Sequence, residues 1–373
     1  MLVLKQSLCR GSTSIPDPDP DPGNAVDCQL EALRVLDVAH IISGAPILKG
    51  FLAEWITILS SDCQDTGRLP DPTRTVLPGG AAAPTPDTDT SFDAPHIRFS
   101  AAEFSTPPSL HWFSGHLSNP LPTPFVVRGA ASFWPALSSR PWSNLGYLRR
   151  AVGNNRTVPV EIGRSYTDPS WRPELMRFGE FVDQYVLGSD DESALGSPSG
   201  SASPAAREIG YMAQHNLLEQ FPALANDIAI PDYCFVEAAA DSEADSDLAE
   251  DSDSDSGIDS HVTINAWFGP RDTRSPLHTD PKNNIFVQVV GIKYLRLYSP
   301  NESPSLYAFG EASKMSNTSQ VDIESPDLGA HPLFANAEYV ECIVGPGDLL
   351  FIPHGWWHYV RSLTRSFSLS FWF

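Results

Sequence analysis

The chain predicts a mainly β fold with flanking helices, closed as a double-stranded β-helix of the jelly-roll type. Three observations point there. From His261 to Phe373 short β-rich runs follow one another: V-T-I-N-A-W-F, N-I-F-V-Q-V-V, K-Y-L-R-L-Y, V-E-C-I-V, D-L-L-F-I-P and S-F-S-L-S-F-W-F. Many short strands between regular turn signals favour two packed sheets. Helical periodicity is confined to earlier residues, whose helices can pack outside such a barrel. Pro346-Gly347-Asp348 supplies a tight turn directly before a strand.

Taken in order, residues 1–25 read as a disordered tail, with Pro-Asp repeats from Pro16 to Pro22. Residues 26–63 form a short helical region. Leu30, Leu33, Leu36, Ile41 and Ile42, then Phe51, Leu52, Trp55, Ile56 and Leu59, recur at helical spacing. Residues 64–95 are rich in Pro, Thr, Asp and Gly and read as a linker. The remaining domain runs over 96–373. Pro124 to Ala130 reads as a strand entering a turn. Trp142 to Asn155 reads as a helix with Ser143 at its N-cap and Gly153 ending it. Thr157 to Gly163 alternates as a strand, and Arg177 to Val186 reads as a helix. From Tyr211 a strand passes into a short helix. Two low-complexity insertions interrupt this domain. One, 188–207, is Ser, Gly, Pro and Ala. The other, 238–260, is an acidic Ser/Asp tract that cannot build a core. The tract serves as a solvated loop, or as a docking or phosphorylation segment for a basic partner.

The chain of 373 residues fits one large domain with an appendage. A net charge of −22 repels phosphates and argues against direct nucleic-acid binding. The five cysteines, Cys9, Cys28, Cys63, Cys234 and Cys342, form no C-x-x-C pair, which fits a reducing compartment. Cys234 and Cys342 read as packing residues. No apolar run reaches the length of a membrane-crossing helix. Lys5 and Arg10 lie among Ser and Thr without acids, as in a short transit peptide, but the Pro-Asp repeats follow at once. Nucleus or cytoplasm is therefore the expected location. With no helices after the last strand to build an interface, a monomer is expected.

The chemistry concentrates between Trp267 and Tyr298. His278 and Asp280 lie two apart, so a strand places both on one face. They can grip one metal ion from one side, or pair with each other at a barrel rim. His358, in D-L-L-F-I-P-H-G-W-W-H-Y-V, is the best third ligand, although a satisfied core histidine is the alternative. Two histidines and one carboxylate with open positions describe a non-haem Fe(II) oxygenase site. Lys293 shares a strand face with Leu295 and Leu297. An ammonium there needs an anion or a shifted pKa, unless it reaches solvent at the rim. No acid lies near it in sequence, and a bound dicarboxylate would satisfy it. No P-loop, G-x-S-x-G or paired inward carboxylates support other chemistries.

These residues resemble the JmjC-domain family of Fe(II)- and 2-oxoglutarate-dependent oxygenases, whose barrel is cupin-like. The resemblance rests on V-P-V-E-I-G-R-S-Y-T-D from Val158, G-Y-M-A-Q-H from Gly210, and I-P-D-Y-C from Ile230. Further matches are I-N-A-W-F-G-P from Ile264, S-P-L-H-T-D-P from Ser275, and Y-L-R-L-Y-S-P from Tyr294. N-T-S-Q-V-D from Asn317 and L-F-I-P-H-G-W-W-H-Y-V-R from Leu350 complete the set. It covers about 96–373 apart from the insertions. It implies iron held by His278, Asp280 and His358, with Lys293 binding the distal carboxylate of 2-oxoglutarate. Tyr166 and Asn284 would hydrogen-bond that cosubstrate, with Ser275 and Trp267 lining the pocket. It further implies that O₂ is consumed, that 2-oxoglutarate is decarboxylated to succinate, and that a substrate C–H is hydroxylated. The expected substrate is an arginine or lysine side chain of a basic histone, ribosomal or regulatory protein. Histone N-methyl-lysine demethylation through the same chemistry is the first alternative. A non-catalytic binding module is the second, and another metal cupin such as an isomerase the third. The family's N-terminal helical region looks shortened here, which leaves its docking role open.

Overall fold

The computed structural model describes residues 22–43, 55, 56, 58, 59, 94–187, 208–238, 262–310 and 312–373. The tail before Pro22, Cys9, Cys63, the linker up to residue 93, the insertion 188–207 and the acidic tract after Ala238 lie outside the described residues.

Helix α1, Pro22–Ser43, begins inside the stretch read as a tail. Proline suits a first helical position, since its missing N–H would be unsatisfied there anyway. Its stripe of Leu30, Leu33, Leu36 and Asp37 turns inward. Leu33 packs with Ile56 and Leu59, while Asp37 is wholly buried. The short strands β1, Ala102–Phe104, and β2, Phe125–Val127, flank helix α2, Leu110–Leu117. Ser109 caps α2 by accepting from the Trp112 N–H at 3.1 Å. The helix escaped sequence reading because two turns after Pro107-Pro108 carry too little periodicity.

Helix α3, Leu145–Val152, ends at Gly153 as expected, with φ of 93°. Its N-cap is Asn144 and not Ser143, because the Asn144 side chain accepts from the Tyr147 N–H at 3.1 Å. Strand β3, Thr157–Ile162, pairs antiparallel with β4, Arg172–Arg177. Sequence reading missed β4, an exposed strand at one end of its sheet, whose proline and charges mask the alternation. Helix α4, Phe178–Phe181, runs on as a wider π-type turn over Val182–Leu187. Strand β5, Gly210–His215, leads into two single-turn helices, α5, Leu217–Gln220, and α6, Pro222–Ala225.

Eight strands follow. They are β6, Thr263–Gly269, β7, Arg274–Thr279, β8, Asn284–Val290, and β9, Lys293–Tyr298. Then come β10, Tyr339–Val344, β11, Leu349–Ile352, β12, Trp357–Ser362, and β13, Ser366–Trp372. Among the described residues they form two sheets, ordered β1-β2-β11-β8-β13-β6-β5-β3-β4 and β10-β9-β12-β7. The two sheets are the walls of the expected jelly roll. Val126, Phe286, Leu295, Leu297, Leu350, Ile352 and Val360 pack together in one buried cluster. A larger apolar layer brings α2 to α6 against the long sheet, where the Phe268 and Phe367 rings stack 4.8 Å apart. That layer buries β8 on both faces, so β8 reads as a continuous apolar run. At the predicted turn, Asp348 accepts from the Gly345 and Gly129 N–H groups at 3.0 Å each. Cys234 and Cys342 are buried in apolar surroundings that push both thiols up to about 12, which keeps them inert.

Candidate functional site

Strands β7 and β12 lie side by side with His278 and His358 as direct register partners. Just beyond, the ladder slips between His358 and Val360. Such a bulge twists a strand locally and re-aims its side chains. Both imidazoles turn towards Asp280 at the end of β7. His278 Nε2 stands 3.7 Å from Asp280 Oδ1, and His358 Nε2 stands 3.5 Å from Oδ2. One ligand atom from each residue lies within 4.8 Å of the others.

Backbone carbonyls set the tautomers. His278 Nδ1 lies 2.7 Å from the Pro276 carbonyl and His358 Nδ1 lies 3.1 Å from that of Trp356. A carbonyl only accepts, so each Nδ1 carries the proton and each Nε2 presents a lone pair. Burial and the neighbouring His358 hold the His278 imidazole down at about 4, against the pull of Asp280, so it is neutral at physiological pH. With bonds of about 2.1 Å, ligands on one face of an octahedron stand about 3 Å apart. The donor set fits a divalent transition metal once the ligand atoms, now 3.5 and 3.7 Å from the Asp280 oxygens, draw closer around it. Nitrogen and carboxylate donors without thiolate suit Fe(II).

Asn284, the first residue of β8, donates from Nδ2 to Asp280 Oδ2 at 2.9 Å and fixes the carboxylate. Its Oδ1 is buried with no hydrogen-bond partner. Such an orphan acceptor in a native site marks a place for a donor that comes with a ligand or water.

Lys293 opens β9 and is 1% exposed. Strand alternation aims it inward with Leu295 and Leu297, so the expected inward face is realised. Nζ donates to the Tyr211 hydroxyl at 3.1 Å and lies 5.5 Å from the Phe286 ring centroid. Burial alone pushes its ammonium down to about 7, and no carboxylate among the described residues offsets this. Ser275 and Trp267 line the same cavity with Lys293, Asn284, His278, Asp280 and His358. The Trp267 indole N–H donates to Ser370 Oγ at 3.1 Å. Of the eight predicted residues, only Tyr166 stands off the cavity wall. Its hydroxyl reaches Thr318 at 3.3 Å, and Thr318 bridges to the His278 backbone.

Three participants were missed in the sequence. Tyr211 lies in the quoted G-Y-M-A-Q-H, and its strand alternation was its only sign. Thr318 sits in a long irregular stretch with no periodicity. Glu161 belongs to β3 and is half-buried, with the Trp171 indole donating to it at 3.2 Å. Burial raises its pKa, and no basic side chain among the described residues stands against it. Its charge is felt at Tyr166 and Tyr211.

A family model described as a cupin-like domain matches residues 118–373. The chain belongs to the cupin-like JmjC family. It is 37% identical over 370 residues to lysine-specific demethylase 8 of Danio rerio, covering 98% of this chain and 77% of that protein. It is 44% identical over 265 residues to lysine-specific demethylase 8 of Xenopus tropicalis, covering 71% of this chain and 51% of that one. The Jumonji C domain-containing protein 5 of Drosophila melanogaster is 36% identical over 249 residues, covering 67% of this chain and 54% of the fly protein. The matched stretch thus spans about half the length of the frog and fly relatives. JmjC proteins are 2-oxoglutarate-dependent oxygenases, and this chain is an enzyme of that class.

Proposed function

We propose that this protein uses Fe(II), 2-oxoglutarate and O₂ to hydroxylate an arginine or lysine side chain of a basic protein or peptide. The observation that carries the proposal is the buried Lys293 ammonium, without an anion, in one cavity with His278, Asp280 and His358. The metal and cosubstrate would supply the oxidising power, with 2-oxoglutarate decarboxylated to succinate.

The chain's own residues hold, orient and exclude. His278, Asp280 and His358 would hold the metal, which would supply the oxidising chemistry there. Lys293 and the Tyr211 hydroxyl hold the distal carboxylate by charge-assisted hydrogen bonds. Asn284 locks Asp280 and offers an acceptor at the same wall. Tyr166, pushed up to about 12 by burial, remains a hydroxyl donor at the cavity edge. Trp267 and Phe286 exclude water from the reacting atoms. Glu161 is an acidic group in search of a cation, which suits a guanidinium or ammonium of the substrate. The net charge of −22 favours approach of a basic partner at low ionic strength. We further propose a monomer acting in the nucleus or cytoplasm.

The names of the relatives favour a second reading, removal of an N-methyl group from lysine. Hydroxylation of the methyl carbon gives a hemiaminal, which releases formaldehyde and the demethylated amine. The experiment that separates the two offers purified protein, Fe(II) and 2-oxoglutarate a panel of histone and ribosomal peptides, read by mass. A gain of one oxygen supports hydroxylation, and loss of a methylene supports demethylation. Bound iron with no mass change on any basic peptide would contradict both.

A further inference from the structure

Outside the metal site, a dense buried polar cluster is centred on Asp37 of α1. The Asp37 carboxylate accepts from Arg156 Nη2 at 2.7 Å and Nε at 3.0 Å. It also accepts from the Thr157 N–H at 2.8 Å and Gln220 Nε2 at 3.0 Å. Asp37, Arg156, Thr157, His215 and Gln220 are all buried. Gln220 is the hub. Its amide nitrogen also donates to the Thr157 carbonyl at 2.8 Å, and its Oε1 accepts from His215 Nε2 at 2.6 Å.

The cluster sits where a ladder fails. Strands β3 and β5 pair through Glu161–Tyr211 and Ile162–Gly210. Beyond that the β5–β6 register slips between Met212 and His215, and Gln214 is forced to a φ of 48°. A non-glycine residue in that region is strained and persists only where its surroundings hold it. Gln220 replaces the missing rungs by bonding Thr157 at the start of β3 and His215 at the end of β5. The other ends of the same two strands carry Glu161 and Tyr211. Asp37 fixes Gln220 and so ties an N-terminal helix to the β3–β5 pair, of which β5 brings Tyr211 to the cavity wall.

We infer that Asp37, acting through Gln220 and His215, is a positioning residue that holds β5 in its bulged form and thereby keeps Tyr211 against Lys293. The inference rests on the function proposed above. It gives α1 a role in cosubstrate binding although no residue of α1 lines the cavity.

The test uses the full chain and two variants. Gln220→Met removes the bridge but leaves the Asp37–Arg156 pair and the Thr157 N–H bond in place. Asp37→Ala removes the anchor. Amide exchange over residues 210–215 is read in metal-free protein. Binding of Mn(II) and then of 2-oxoglutarate is read by calorimetry. Gln220→Met should exchange faster over 210–215 and bind 2-oxoglutarate about tenfold more weakly, with Mn(II) affinity unchanged. Asp37→Ala should do the same or more. Unchanged exchange and 2-oxoglutarate affinity in Gln220→Met would overturn the inference, as would an equal loss of Mn(II) affinity, which signals general loosening. Wild-type protein that binds Mn(II) but no 2-oxoglutarate would sink the proposed function. The exchange measurement would then still decide whether the cluster holds the strand.

Discussion

Desolvation brings the Lys293 ammonium down from its ordinary 10.5 to about 7. Its folded pKa is therefore depressed below its unfolded one. Between those values the unfolded chain binds more protons, so folding stability rises as pH climbs from about 7 towards 10. The span corresponds to a few kcal/mol, on the order of 1.36 for each unit. In Lys293→Met, denaturant midpoints across that window should flatten, and the variant should be more stable than wild type at neutral pH, because a buried unpaired charge is gone. The same substitution should severely weaken 2-oxoglutarate binding. Binding to the wild type should take up a proton above pH 7, visible as a dependence of calorimetric heat on buffer. No proton uptake, or unchanged affinity in Lys293→Met, would contradict the role given to Lys293. His278→Ala should lose iron-dependent turnover while remaining folded, since its imidazole meets only site groups and a backbone carbonyl: Asp280, the His358 ring and the Pro276 carbonyl.

At this scale much of the site was legible. His278 and Asp280 share a strand face, and Lys293 stood out because Leu295 and Leu297 share its face. Tyr211 and Thr318 were not legible, because hydroxyls on strands and loops carry no charge and no spacing rule. Asp37 was hidden for the opposite reason. An acid beside a helix stripe carries no sign of burial in the sequence, and only Arg156, far along the chain, makes it an anchor.

Elements place these residues, and turns set the elements. Gly291 joins β8 to β9 at a φ of 74°, two residues before Lys293. A Cβ there would lie 1.9 Å from the Arg365 carbonyl oxygen. Gly291→Ala should therefore destabilise the fold by about 2–4 kcal/mol, measured by denaturant melts, and weaken 2-oxoglutarate binding by moving Lys293. An unchanged melt would show that the hairpin relaxes freely. Strands with strong alternation or continuous apolar runs, β6, β8, β9 and β13, were plain in the sequence. Strand β4 was not, since a polar edge lacks the pattern that burial imposes. Ser143 and Asn144 are equally good caps by residue type, and only the backbone geometry chooses between them.

For the whole molecule, the sequence pattern carried the jelly roll because both sheets bury one face against a common core. It could not carry the meeting of His278 with His358, which lie on neighbouring strands far apart in sequence. Nor could it carry the docking of α1, whose contacts are with β3 and α5. The charge of −22 belongs to this scale as well. Capture of a basic peptide substrate should weaken severalfold when ionic strength rises from about 0.01 to 0.15 M, as the screening length shrinks. An affinity independent of salt would remove charge from the account of substrate choice.

The central claim is that one cavity holds the metal and the cosubstrate together. Carbon dioxide release from 2-oxoglutarate labelled at its carboxyl next to the ketone tests it most directly, in wild type, Asp280→Ala and Lys293→Met. The prediction is release that needs added Fe(II), vanishes in Asp280→Ala, and in Lys293→Met returns only at very high 2-oxoglutarate. Release that persists in Asp280→Ala, or its absence from wild-type protein with iron bound, would contradict it.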